Sequence, residues 1–267
     1  MTAENYLIQS LMWRQCLTED KFKQMVGKCQ RDLPEGSEVS AEMMGQMVAK
    51  VNRQLRPYNI EISRGPNESD GTIHYALINT ADNDITRMAS IWTQKELIYY
   101  KKVLTAIVES DNTSITSTKL LNIGRNDEIK FTVSAAENLM NKWMDQKWFE
   151  ELSDGNIAIG VRSLLEMNVY IRDHFDVKDC LRCKILCVRG LDCMSCSSKL
   201  HYHCSDSQYI QDNKCPNCHK QFADTEHMNS GTTADNRDED VDSDSDDTVV
   251  EDNPSGQRGR SKRSRLS

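Results

Sequence analysis

The chain has no run of eighteen apolar residues, which excludes a membrane-spanning helix of ordinary length. Its start, MTAENYLIQSLMWRQ, lacks a basic region followed by an apolar core, so no secretory signal is expected. A basic excess is missing too. The net charge is −8, of which the stretch from Ala234 to Ser267, with ten acids and six bases, carries −4. Phosphate binding is driven by Lys and Arg, so a mildly acidic body argues against a dedicated DNA-binding protein. From about Thr225 onward the chain, with VDSDSDDTVVEDN in its midst, lacks the apolar content to order itself. What remains is ample for two or three small domains: 267 residues, 38% hydrophobic, with ten cysteines unevenly spread.

The first segment reads as three helices and a hairpin. Tyr6, Leu7, Leu11 and Trp13 sit at near-helical spacing, and Thr18 is a candidate cap for a second helix carrying Phe22, Met25, Val26 and Cys29. Ser40 is a candidate cap for a third, with Met43, Met44, Met47, Val48, Val51 and Leu55 on one face and Pro57 as its stop. The period then changes to two: Ile60 and Ile62 before SRGPNESDG, and Ile73, Tyr75 and Leu77 after it. Three helices followed by a two-stranded wing is winged-helix order. The order recurs, with helices over about Thr93–Glu109, Ser117–Ile123 and Val133–Gln146. A hairpin of WFEEL, the turn SDG and NIAIG follows, then a closing helix from Val161 to about Asp173. Lys50, Arg53 and Arg56 on one third helix, and Lys142 and Lys147 on the other, are few enough to be an ordinary solvated face. The Met43–Met47 stripe suits a core or a partner surface.

Eight of the cysteines fall between Cys180 and Cys218, which favours metal over disulfides in a reducing compartment. The spacing is Cys180-x2-Cys183-x9-Cys193-x2-Cys196-x4-His201-x2-Cys204-x10-Cys215-x2-Cys218, eight ligands for two tetrahedral zinc ions. A CxxC pair works because two thiolates on a tight knuckle reach one metal at roughly 2.3 Å. His201 is the expected histidine, because His203 is adjacent to Cys204 and neighbouring residues rarely reach one metal together. Cys187 fits neither set and reads as a small apolar filler or a substitute for Cys183. Spacing alone leaves two pairings open. One is sequential, with Cys180, Cys183, Cys193 and Cys196 on one ion. The other is interleaved.

The short loops between pairs resemble RING and PHD domains, both of which are cross-braced. The resemblance implies Cys180, Cys183, His201 and Cys204 on one zinc and Cys193, Cys196, Cys215 and Cys218 on the other. The ligand order, four Cys, one His, three Cys, is PHD-like. PHD fingers usually carry a Trp two residues before the seventh ligand, where this chain has Asn213, and Pro216 after that ligand is a RING habit. In RING domains this proline helps form a groove for a ubiquitin-conjugating enzyme. The other candidate groove residues are Leu181, Arg182, Tyr209 and Ile210. Arg182 departs from the apolar residue common before the second ligand, and His219 and Lys220 stand where many active RING domains place an arginine.

This hybrid order behind tandem winged helices resembles one family, the RING subunit called non-SMC element one of the chromosomal SMC five–six complex. IEISRGPNESDGTIHYALIN resembles its first wing, ITRMAS the segment after it, and LLEMNVYIRDHF its helix leading into the RING. The expected architecture is α+β, with tandem winged-helix domains at 1–90 and 91–176. A cross-braced two-zinc RING-like domain at 177–222 and a disordered tail at 223–267, acidic then basic, complete it.

The resemblance implies a RING-type ubiquitin ligase subunit acting in DNA repair by homologous recombination, in the nucleus and on chromosomes. The implied partners are a MAGE-like winged-helix subunit, a kleisin subunit, the SMC heads and a ubiquitin-conjugating enzyme. DNA binding is expected to be weak or indirect. The rival reading is a non-catalytic subunit whose RING-like domain mediates assembly. A reader of histone tails is disfavoured by Asn213. In the tail, RGRSKRSR resembles a basic nuclear-import signal, and Ser243 and Ser245 lie among acids as acid-directed kinases prefer.

Overall fold

Hydroxyl side chains start five of the helices. Thr2, Ser40, Thr93, Thr116 and Thr132 each accept a hydrogen bond from the backbone N–H three residues on, satisfying a donor that the first turn leaves without a partner. At Thr93 the Glu96 carboxylate bonds back to the Thr93 N–H at 2.7 Å, completing a capping box. The computed structural model describes residues 2–29, 39–81, 92–206 and 214–222. ITRMAS, Tyr209, Ile210, Asn213 and the tail from 223 onward lie outside the described residues.

One order of elements occurs twice. In the first repeat, α1 (Ala3–Arg14), β1 (Cys16–Thr18), α2 (Glu19–Cys29) and α3 (Ala41–Leu55) lead to β2 (Ile60–Pro66) and β3 (Ile73–Asn79). The three strands form an antiparallel sheet in the order β1-β3-β2, with Leu17 opposite Tyr75 and Ile62 opposite Leu77. In the second, α4 (Gln94–Val108), β4 (Ile115–Thr116), α5 (Ser117–Gly124) and α6 (Val133–Asp145) lead to β5 (Phe149–Glu151) and β6 (Asn156–Ile159). That sheet has the order β4-β6-β5. Both are the winged-helix arrangement that the sequence predicts, each with a short third strand that period-two reading misses. Strands of two or three residues are too short to show alternation.

Thr18, the last residue of β1, stands immediately before α2, at the cap position that the sequence predicts. One predicted detail differs. The closing helix is two helices, α7 (Val161–Glu166) and α8 (Asn168–His174), broken at the fully buried Met167, whose backbone (φ −100°, ψ 14°) leaves the helical region.

Each repeat has its own core. In the first, Leu7, Leu11, Phe22, Val26, Met44, Met47, Val51, Ile62 and Tyr75 pack together, with Phe22 and Tyr75 stacked at 4.0 Å. Met44 and Met47 are therefore core, whereas Trp13, 88% exposed, points away from it. The second core is aromatic: Trp92, Tyr99, Tyr100, Trp143, Trp148 and Phe149 contact one another with ring centroids 4.6–5.9 Å apart. Leu186 and Val188, from the cysteine-rich segment, are buried in this second core.

Both faces of β3 are buried, since Tyr75 on one face and Ala76 and Ile78 on the other are covered. The second face is covered by α7 of the other repeat. On the adjacent strand β2, opposite His74, a Cβ on Gly65 would come within 2.7 Å of Leu165 Cδ2 of α7, so the helix packs closely on the sheet. Arg162 lies buried over the Trp148 ring, pairs with Glu166 and donates to Gln15 of the first repeat.

Candidate metal centre

Four short strands frame the cysteine-rich segment: β7 (Lys178–Asp179) pairs with β8 (Leu186–Cys187), and β9 (Leu191–Asp192) with β10 (Lys199–Leu200). Each CxxC pair sits on a knuckle where a backbone N–H turns back to the first cysteine. Lys184 N–H donates to Cys180 O at 3.0 Å, Ser197 N–H to Cys193 O at 2.7 Å, and His219 N–H to Cys215 O at 2.8 Å. Lys184, Ser197 and His219 all take positive φ near 54–60° to make these turns.

The knuckles bring the pairs together in interleaved fashion. Cys180, Cys183, His201 and Cys204 form one group and Cys193, Cys196, Cys215 and Cys218 the other, with the ligand atoms of each within 4.8 Å of one another. In the first, His201 Nδ1 is 3.3 Å from Cys183 Sγ and 3.9 Å from Cys204 Sγ. In the second, Cys193 and Cys218 sulfurs are 3.4 Å apart, and Cys196 and Cys215 sulfurs 3.7 Å. A tetrahedron with metal–sulfur bonds of about 2.3 Å has edges of about 3.8 Å, so both groups have the size for one ion each. The sequential pairing is not formed.

Protonation chemistry points the same way. Cys180 is lowered to about 7: burial opposes the charge, and the N–H groups of Cys183, His201 and Arg182 outweigh it. Its neighbours move oppositely. Burial first, and then the Cys180 charge, hold Cys183 and Cys204 above the ordinary thiol range. In the second group Ser198 lowers Cys196 to about 6, while burial and the facing thiols push Cys215 up to about 12. A cation among the facing thiols would relieve the repulsion that raises Cys183, Cys204 and Cys215.

The two histidines have different surroundings. His201 is fully buried, with Nδ1 facing the thiols and Nε2 facing Leu186 O at 3.1 Å. His203 stacks on the outside of the His201 ring at 4.8 Å, with Nδ1 3.4 Å from Glu68 O. Cys187 is buried beside Glu68 and His201, and these three also lie within 4.8 Å of one another. Burial holds its thiol far above the ordinary range, and Cys187 stands outside both four-residue groups.

Of the predicted groove residues, Leu181 and Pro216 are half-buried and Arg182 is exposed. Arg182 Nη1 donates to the carbonyl of Cys204 at 3.0 Å and pairs with Asp206. Its guanidinium thus folds back over the first cluster. Tyr209 and Ile210 belong to the undescribed residues.

Sequence reasoning missed Glu68. It sits in the tip of the first wing, more than a hundred residues from His201 in the chain, yet is 3% exposed against it. NESDG looks like ordinary turn chemistry, and nothing local distinguishes its acid.

Comparison with known proteins adds the lineage. The profile of a family described as the Nse1 non-SMC component of SMC5-6 complex matches residues 4–167, ending ahead of the cysteine-rich segment. Proteins named non-structural maintenance of chromosomes element 1 homolog are similar in sequence. The human protein is 31% identical over 219 residues, covering 79% of this chain and 80% of its own. The Bos taurus protein is 31% identical over 216 residues, 79% of each, and the Drosophila melanogaster protein 24% over 185 residues, 67% and 77%. A chain in a solved structure of an Nse1-Nse3-Nse4 complex superposes with a TM-score of 0.71 and 26% identity, covering 84% of this chain and 97% of that one.

Proposed function

The chain belongs to the family described as the Nse1 non-SMC component of the SMC5-6 complex, and from that premise we propose that it is a RING-type ubiquitin-protein ligase subunit of this complex. In this reading it acts in DNA repair by homologous recombination, in the nucleus and on chromosomes. The observation that carries the ligase reading is the pair of interleaved four-residue clusters of tetrahedral size, with Pro216 directly after the seventh position. Both ions are zinc in this reading, held by Cys180, Cys183, His201 and Cys204, and by Cys193, Cys196, Cys215 and Cys218. Four protein groups close each site, so the zinc is structural and offers no open position to water. The module boundaries follow the sequence limits of 1–90, 91–176, 177–222 and 223–267.

A RING ligase supplies no nucleophile of its own. It binds a charged conjugating enzyme and holds the thioester in a reactive pose, so its contribution is orientation. The partners proposed are the MAGE-like Nse3 and kleisin Nse4 subunits, supported by the likeness to a chain of the Nse1-Nse3-Nse4 complex, together with the SMC heads and a conjugating enzyme. The winged helices would dock the MAGE-like subunit.

Arg182 supports a second reading. With its guanidinium bonded to Cys204 O and Asp206, it puts a charged pair where conjugating enzymes meet an apolar rim, as suits a module that only mediates assembly. An autoubiquitination assay with a panel of conjugating enzymes, with and without the MAGE-like subunit, separates the two. Ubiquitin chains with any member support the ligase. Silence across the panel leaves the assembly reading.

A further inference from the structure

The tip of the first wing is not free. Residues Asn67–Gly71 form a loop closed on itself by Gly71 N–H to Asn67 O at 2.9 Å and Thr72 N–H to Asp70 Oδ1 at 2.9 Å. The closed loop is inserted between the second wing and the cysteine-rich segment. On one side Asn67 Nδ2 donates to Glu150 Oε2 of β5 at 2.8 Å, and Ser69 also bonds Glu150. On the other, the two Glu68 oxygens accept the N–H groups of Val188 at 2.7 Å and Arg189 at 3.1 Å. Gly71, at φ +74°, lies so close to His203 that a Cβ would come within 2.8 Å of the ring.

Glu68 Oε1 is also 3.4 Å from His201 Nε2, on the side of the ring away from the thiols. Among the described residues this imidazole is the one ion-pair partner of a carboxylate that is 3% exposed. A buried carboxylate with only backbone donors around it is costly unless positive charge is near. A cation on Nδ1 draws electron density from the ring and makes Nε2–H a stronger donor toward Leu186 O and Glu68. The carboxylate in turn fixes the ring orientation and raises its basicity at Nδ1. The groups to complete such an outer shell come from two distant parts of the chain.

We propose that Glu68 is a positioning residue for the first metal cluster, so that metal binding at Cys180, Cys183, His201 and Cys204 and docking of the first wing are one coupled event. The wing tip then serves as an internal clamp rather than a nucleic-acid contact, and losing the metal frees it. Coupling is reciprocal: what loosens the wing loosens the metal by the same factor. This rests on the zinc reading above.

The test uses the full chain loaded with zinc and release of the metal into a chelating dye. Wild type is expected to hold two zinc per chain. Glu68→Gln, which keeps the shape, and Glu68→Ala should each accelerate release of one zinc by about tenfold or more and leave the other unchanged. Ser69→Ala, which weakens the docking of the wing through Glu150 and Arg189 without touching His201, should accelerate release of the same zinc by a smaller factor than the Glu68 variants. In the reverse direction, Cys183→Ser should speed amide exchange at residues 66–72 and leave 156–159 as in wild type. Equal release from wild type and both Glu68 variants, acceleration of both zincs alike, or unchanged exchange in the wing would each overturn the coupling. Fewer than two zinc per wild-type chain would overturn the metal reading itself, and the coupling with it.

Discussion

Replacing each histidine in turn distinguishes their roles quantitatively. His201→Ala removes the nitrogen that lies 3.3 Å from Cys183 Sγ and 3.9 Å from Cys204 Sγ, leaving three thiols in the first cluster. Three thiols carry the charge problem without the fourth ligand, so zinc content should fall from two per chain to one. A ligand present at a thousand times its dissociation constant stabilises the folded state by about 4 kcal/mol. In a folded body of this size one kcal/mol corresponds to roughly 2–4 °C, so unfolding should move down by roughly 8–16 °C. His203→Ala removes a stacked ring and one long contact, 3.4 Å, to Glu68 O. That costs about 1 kcal/mol and should shift unfolding by roughly 2–4 °C with both zincs retained. Atomic emission gives the zinc content and differential scanning calorimetry the shift. A His203→Ala protein holding one zinc, or a His201→Ala protein holding two, would refute the assignment.

Three more outcomes are expected. Gly160→Ala places a Cβ within 2.4 Å of the Lys147 carbonyl oxygen and 2.9 Å of the Trp148 carbonyl carbon. Backbone cannot yield as a side chain can, so the variant should lose about 3 kcal/mol or more in urea unfolding; an unchanged midpoint would contradict the packing. Arg182→Ile removes a partly exposed ion pair with Asp206 and should cost under about 1 kcal/mol. If the ligase reading holds, it should tighten conjugating-enzyme binding in a titration followed by nuclear magnetic resonance, and weaker binding would count against an apolar groove. The isolated chain should bind duplex DNA weakly, since Lys50 is paired with Glu4 and the first wing tip is engaged internally. A dissociation constant below micromolar at physiological salt, by fluorescence anisotropy, would contradict this.

Much of the architecture is legible in the sequence because its determinants are local. Ser40 and Thr93 mark helix starts through the chemistry of the first turn, and Ile60, Ile62, Ile73 and Tyr75 alternate because a strand's side chains do. The spacing of the cysteines is local as well: a CxxC is a single knuckle, and the two four-residue groups the structure brings together are those that interleaved pairing requires. The exposure of Trp13 was not legible, because both faces of a short helix carry apolar residues and periodicity alone does not say which one has a neighbour. Tyr99 and Tyr100, buried on adjacent positions of α4, are not legible for the related reason that the buried face of this helix is broad enough to take in neighbouring residues.

What the sequence determined by itself is the inventory: capped helices, two wings and eight metal-type positions in a spacing that knuckles demand. Tertiary structure decided which surfaces meet. It set α7 against the second face of β3, turned Arg182 back onto Cys204, and carried Glu68 across more than a hundred residues to His201. Capping and period act within a few residues and leave a mark there. A buried carboxylate is held by whatever the fold brings to it, and in NESDG the acid that reaches the metal cluster has the same local setting as any turn residue.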